Sequence, residues 1–262
     1  MMIDDVDLNF AERGAGRPLL LVHAFPLDHR MWRGQVEDLS EEYRVIAPDL
    51  RGFGGSGVTA GTVAMERFAD DLAGLLDRLG IDEPIAMGGL SMGGYVAWQF
   101  WRRHARRVSH LILCDTRAAA DSEEAARQRC ELADQVEEQG APILVPRMIP
   151  RLFSEKTRRQ QTALVQAAEQ VIRQGSPAGL AAALRGMAKR VDATCWLREI
   201  DVPALVLCGH EDVISPVSEM QAIADAMPRA EFVVIPGCGH LAPLEDPVHT
   251  NKAIRAFLKA TW

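Results

Sequence analysis

Ser91 stands in the stretch MGGLSMGG, residues 87–94, between two pairs of glycines. A serine hydroxyl is a poor nucleophile at neutral pH. It needs an imidazole to take its proton, and that imidazole needs a carboxylate to orient it. Glycine loses the most backbone freedom on folding, so four of them around one hydroxyl require a reason. A serine on a sharp strand-to-helix turn takes backbone angles that crowd its neighbours. Glycine two residues before and two after removes the side chains that would clash. Gly89-Leu90-Ser91-Met92-Gly93 is this G-x-S-x-G nucleophile elbow, which sets the hydroxyl beside the free amides of the next helix.

The partners are sought downstream, in the chain order serine, acid, histidine. Of seven histidines, His240 and His249 lie beyond the last expected strand. His249 falls on a terminal helix and reads as a surface residue. His240 sits in the glycine-rich loop GCGHLAPLE, and is the candidate base. GHEDVISP, after an apolar run, supplies Glu211 and Asp212 as candidate acids. Asp115, at the end of an earlier strand, is an outside alternative, although capping the start of a helical segment is its simpler reading. A developing oxyanion needs two backbone N–H groups. Met92 supplies one, and Phe25 in the loop His23-Ala24-Phe25-Pro26 supplies the other, since Pro26 has no N–H.

These residues need a scaffold that brings them to one edge. Leu19–His23, Arg44–Ala47, Pro84–Met87 and Val108–Cys114 read as strands, with helices over Met65–Leu79 and Met92–His104. The strands are continuously apolar rather than alternating, which predicts a parallel sheet covered on both faces. From Ala118 to about Trp196 only helix signals occur. Asp121 with Glu124 reads as a capping box, Ser154 and Ser176-Pro177 as helix starts, and Gly140 and Gly175 as stops. The rhythm resumes with strands Pro203–Cys208 and Glu231–Ile235 and helices Val217–Met227 and Asp246–Lys259. A helical insertion of about 80 residues between core strands far exceeds an ordinary connection.

The whole chain narrows the function classes. It has 262 residues, 48% hydrophobic and 25% charged, an ordinary globular composition able to bury a large core. Its 36 acidic against 29 basic residues, net −7, argue against nucleic acid as a partner. No apolar run reaches the roughly 20 residues of a membrane span. The N-terminus MMIDDVDLNF lacks the basic-then-apolar order of a signal peptide. Five cysteines without C-x-x-C spacing imply neither a disulfide framework nor a zinc site, and reduced thiols in a cytoplasmic protein are expected. No feature sets an oligomeric state.

Together these motifs resemble the α/β-hydrolase family over essentially the whole chain. HAFP is similar to its H-G-F-P oxyanion loop, and PDLRGFGGS to its D-x-R-G-x-G-x-S segment. Within the family the chain resembles compact carboxylesterases, enol-lactonases and cofactor-free haloperoxidases, or perhydrolases. The resemblance implies a core of residues 1–116 and 197–262 with a helical cap, 117–196. It favours Asp212, at the usual G-x-x-D placement, as the acid. Asp49, Arg51 and Ser56 become loop-stabilising residues and His23 a brace of the oxyanion loop. Ala24 departs from the usual glycine and fits only at negative φ. The expected function is cleavage of a small carboxylic ester through an acyl-enzyme on Ser91, with no metal or organic cofactor. Lactone opening, with peracid formation as a side activity, is the alternative, and a non-catalytic small-molecule binder is the alternative of another class.

Overall fold

A computed structural model describes residues 1–262. In chain order the first half contains β1 (Met2–Ile3), β2 (Val6–Asp7), β3 (Phe10–Arg13), β4 (Pro18–Val22), α1 (Arg33–Leu39), β5 (Arg44–Pro48), α2 (Met65–Arg78), β6 (Ile85–Leu90), α3 (Met92–His104) and β7 (Val108–Cys114). Helices α4 (Glu123–Gln139), α5 (Val145–Leu152), α6 (Glu155–Gln160), α7 (Thr162–Gln174) and α8 (Pro177–Ala188) follow. The chain closes with β8 (Ala204–Gly209), α9 (Val217–Ala226), β9 (Ala230–Ile235), α10 (Ala242–Glu245) and α11 (Pro247–Thr261).

One seven-stranded sheet runs in the order β3-β5-β4-β6-β7-β8-β9. β3 is antiparallel to β5, and every other neighbouring pair is parallel. The runs PLLLV of β4, IAMGGL of β6 and ALVLCG of β8 are buried throughout, as strands covered on both faces must be. On α2 the buried Met65, Phe68, Leu72, Leu75 and Leu76 follow the helical period and turn one stripe to the core, where α2 packs against α3. Each fully buried Phe or Leu contributes roughly 1.5–3 kcal/mol. No helix is long and apolar enough to cross a membrane.

The elements depart from the sequence reading at their ends. β6 runs to Leu90, so Gly88 and Gly89 are strand residues. Its place between β4 and β7 supplies ladder partners on both sides, which outweigh glycine's weak strand preference. β3, with the half-polar sequence FAER, gave no strand signal and forms by pairing Phe10–Arg13 with Pro48–Val45.

Residues between β7 and β8 contain helices and no strand, as expected. Ser154 and Ser176 cap α6 and α8 through Thr157 N–H and Gly179 N–H. The start of α4 differs from expectation: Ser122, not Asp121, caps it by accepting from Ala125 N–H. Asp121 is drawn instead to two cations, Arg129 and, at 2.7 Å, Arg190. The insertion is docked firmly. A Cβ on Gly179 of α8 would meet the backbone of Gly52, so the two glycines permit backbone-to-backbone approach. Val63 N–H donates to Ala182 C=O at 3.1 Å. One contiguous cluster of 81 buried residues includes residues of both the sheet layers and the inserted helices, so they share a core.

Candidate active site

β6 ends at Leu90, α3 starts at Met92, and Ser91 makes the whole turn at φ 54, ψ −111. Such angles cost a non-glycine residue about 1–3 kcal/mol and persist where surroundings over-determine them. Ser91 N–H donates to Cys114 C=O at 3.0 Å, and Ser91 C=O accepts from Gly94 N–H, Tyr95 N–H and the Thr116 hydroxyl. A Cβ at Gly89 would strike the Gly93 carbonyl, and one at Gly93 would strike the Val22 carbonyl. The glycines are the condition for the turn to close. Ser91 itself is half-buried.

Contact of Gly93 with the Val22 and His23 carbonyls sets the start of α3 against the loop after β4. Both expected oxyanion donors therefore lie on this edge of the sheet. Phe25 and Met92 are buried, and neither N–H is taken up by another group of the chain. Ala24 is absent from the residues at positive φ, and its N–H meets Met31 Sδ at 3.2 Å, so alanine is accommodated. The Phe25–Pro26 peptide is cis. His23 braces the loop as expected: Leu50 N–H donates to Nε2 at 3.0 Å and Nδ1–H donates to Ala24 C=O at 3.1 Å. Burial lowers its pKa and keeps it neutral.

Asp49, Arg51 and Ser56 also fill loop-stabilising positions. Asp49 accepts from the His29 backbone and ring, Asn9 and Gly55, and Ser56 Oγ donates to Asp49 C=O. Arg51 forks onto Asp71 with two bonds of 2.6 Å.

The loops after β8 and β9 bring Asp212 and His240 together. His240 Nδ1 lies 2.8 Å from Asp212 Oδ2, and both side chains are buried. Asp212 Oδ1 accepts from Ile214 N–H at 2.7 Å, and Ser215 Oγ–H donates to Oδ2 at 2.5 Å. Burial works to raise the Asp212 pKa, but His240 and these hydrogen bonds outweigh it and the net direction is down. An ionised acid facing the imidazole results. Glu211 is exposed, and His249, also exposed, pairs with Asp246.

Two neighbours of this pair, Ser215 and Glu245, escaped the sequence reading, and a third, Asp115, has a role other than the one expected. Glu245, five residues after His240, is buried and accepts from Gly239 N–H at 2.8 Å and from Ser154 N–H and Oγ–H at 3.0 and 2.8 Å. It thus joins the histidine loop to the inserted helices. Asp115 corrects an expectation. It does not cap the insertion: at φ 43 its carboxylate turns toward β8 and accepts from Gly209 N–H at 2.7 Å. Oxygen and nitrogen atoms of Asp115, Asp212 and His240 all lie within 4.8 Å of one another.

A cavity of about 710 Å³ is lined by Leu27, Met31, Leu164, Val171 and Leu244 among others, and by neither Ser91 nor His240. The candidate serine, acid and histidine follow β6, β8 and β9 at the carboxyl edge of the sheet and lie outside that groove.

Residues 17–247 match the family described as the alpha/beta hydrolase fold. The chain belongs to that family. It is a hydrolase of the α/β fold, and its relatives include esterases and enol-lactonases. Over 257 residues it is 28% identical to 3-oxoadipate enol-lactonase 2 of Acinetobacter baylyi, covering 97% of this chain and 94% of the relative. A thermophilic esterase from Thermogutta terrifontis is 48% identical, with a TM-score of 0.97 over 98% of this chain and 94% of that one. The enol-lactonase from Burkholderia xenovorans is 26% identical, with a TM-score of 0.91 over 98% of both chains.

Proposed function

We propose that this α/β-hydrolase is a serine carboxylesterase acting on small esters through an acyl-enzyme. Ser91 Oγ attacks the ester carbonyl while His240 Nε2 takes its proton, and Asp212 balances the imidazolium. The Phe25 and Met92 amides stabilise the oxyanion. His240 returns the proton to the departing alkoxide, and water, activated by the same imidazole, releases the acid. Residues 117–196 act as the cap over this site. The small-molecule ester is the only partner the reaction requires.

The observation that carries the reading is the backbone of Ser91, a non-glycine residue held at φ 54 between the central strand and a helix N-terminus. The 48% identity to the Thermogutta terrifontis esterase supports ester over other substrates. A second reading, lactone opening, draws on 30% identity over 233 residues to 3-oxoadipate enol-lactonase 1 of Acinetobacter baylyi. The same acylation opens a ring. A panel of p-nitrophenyl esters of increasing chain length, run beside simple lactones and enol-lactones, separates the two. Turnover of short esters well above lactones is expected, and Ser91→Ala should abolish it with the fold intact. Substantial turnover by that variant would overturn the nucleophile, and a preference for lactones would select the second reading.

A further inference from the structure

Asp115 is a buried acid that the reaction described above does not use. Its Oδ1 accepts from Gly209 N–H, while its Oδ2 is buried with no donor facing it. A carboxylate oxygen shut away without a hydrogen bond is among the costliest arrangements in a protein interior. The side chain is not free to turn away, because Asp115 N–H is bonded to Leu207 C=O and its backbone sits at φ 43.

No arginine or lysine is paired with Asp115. The titratable groups facing Asp115 are Asp212 and His240, with Glu245 farther off, and the thiols of Cys114, Cys208 and Cys238. Burial first, and the Asp212 charge second, drive the Asp115 carboxyl well above the usual carboxylate range. Burial also pushes the Cys208 and Cys238 thiols up to about 12, so neither contributes charge. Two close carboxyl groups in such a site hold one proton between them. Asp212 already receives His240, Ser215 and Ile214, all of which favour its charged form. The proton therefore resides on Asp115.

We infer that Asp115 is a neutral carboxylic acid whose Oδ2–H donates to the Asp212 carboxylate and so positions that acid for His240. The inference rests on reading Asp212 and His240 as acid and base of a serine hydrolase. Asp115 touches neither substrate nor the reacting atoms, and it is a positioning residue. One proton satisfies the orphaned oxygen and adds a fourth donor to Asp212. It also keeps the buried cluster at a single negative charge, which the imidazolium formed during acylation neutralises.

The test reads the proton directly. Infrared spectra of the whole protein at neutral pH should contain a protonated-carboxyl carbonyl absorption that Asp115→Asn removes. Labelling aspartate carboxyls with ¹³C in the wild-type protein should move the same band, a reading that needs no variant to fold. Asp115→Asn keeps a donor and the charge balance. It should hold kcat/KM within about threefold and leave the acid-limb midpoint of its pH profile in place. Asp115→Ala, lacking the donor, should lose roughly tenfold or more in kcat. Absence of the band, or an Asp115→Asn midpoint lowered by roughly a unit, would overturn the inference, since removing a true anion beside His240 disfavours imidazolium. The infrared reading uses no substrate, so it is decided separately from ester turnover, and phosphonate labelling of Ser91 decides the serine mechanism separately from Asp115.

Discussion

Glu245 and Ser154, 91 residues apart, are held together by two hydrogen bonds to one buried carboxylate oxygen, while the other oxygen holds the amide of Gly239, next to His240. The position of the inserted helices and the position of the imidazole are thus set by a single side chain. Glu245→Ala leaves the Ser154 and Gly239 amides without their acceptor, and is expected to cost about 3 kcal/mol of stability. It should also lower kcat. Thermal melts beside initial rates check this, and an unchanged melt with unchanged rates would sever the link.

Asp212→Asn replaces the anion 2.8 Å from His240 Nδ1 by a neutral amide. The imidazolium loses its partner and the tautomer that places a proton on Nδ1 loses its acceptor. A fall in kcat of up to ~10⁴-fold is expected on the precedent of such triads. Glu211→Gln, in an exposed side chain, should change kcat little. Steady-state kinetics on one ester would show both, and comparable losses at the two positions would remove Asp212 from its role.

Asp49 links acid stability to the oxyanion edge. Burial would raise its pKa, but the hydrogen bonds from His29 and from the Asn9 amide outweigh it and the value is lowered. A carboxyl lowered on folding contributes stability that is full above its unfolded value, about 3.9, and is lost as pH falls through the folded value. Asp49→Asn should therefore melt below wild type near pH 7. The gap should narrow as pH drops below about 4. His29 shifts oppositely, its pKa raised first by Asp49, so its contribution fades as pH rises through the folded value. A gap that stays constant in acid would mean that Asp49 contributes through shape and not charge.

Gly179 sits where α8 meets Gly52 backbone to backbone. Gly179→Val forces the inserted helices off the core or the Gly52 turn out of place, at a cost of roughly 1–3 kcal/mol or more. The expected signs are a lower melting temperature and faster proteolysis within residues 117–196. A variant as stable and as protease-resistant as wild type would show that the contact yields without penalty.

Much of the arrangement was legible because it is written locally. The elbow needs its glycines at fixed offsets from Ser91, and the periodic apolar residues of α2 and the unbroken apolar runs of β4 and β8 announce their elements within one short window. The loops carrying Phe25, Asp212 and His240 each follow a readable strand, so their placement on one sheet edge followed from parallel strands alone. β3 was illegible because FAER has no strand pattern and exists by pairing with β5. The α4 cap moved from Asp121 to Ser122 because Arg190, distant in sequence, claims the aspartate.

By itself the amino-acid sequence determined the hydrolase class, the strand–helix alternation, the helical insertion and the candidate serine, acid and histidine, since each depends on residues within a few positions of one another. Tertiary structure alone decided the surroundings of that site. Asp115 changed from a presumed cap to a neighbour of Asp212 because β7 and β8 are adjacent, and Glu245 became a clasp because α6 packs over the histidine loop. Burial and long-range neighbours set whether a carboxyl is charged, neutral or a tether, and neither is encoded in any short stretch of chain.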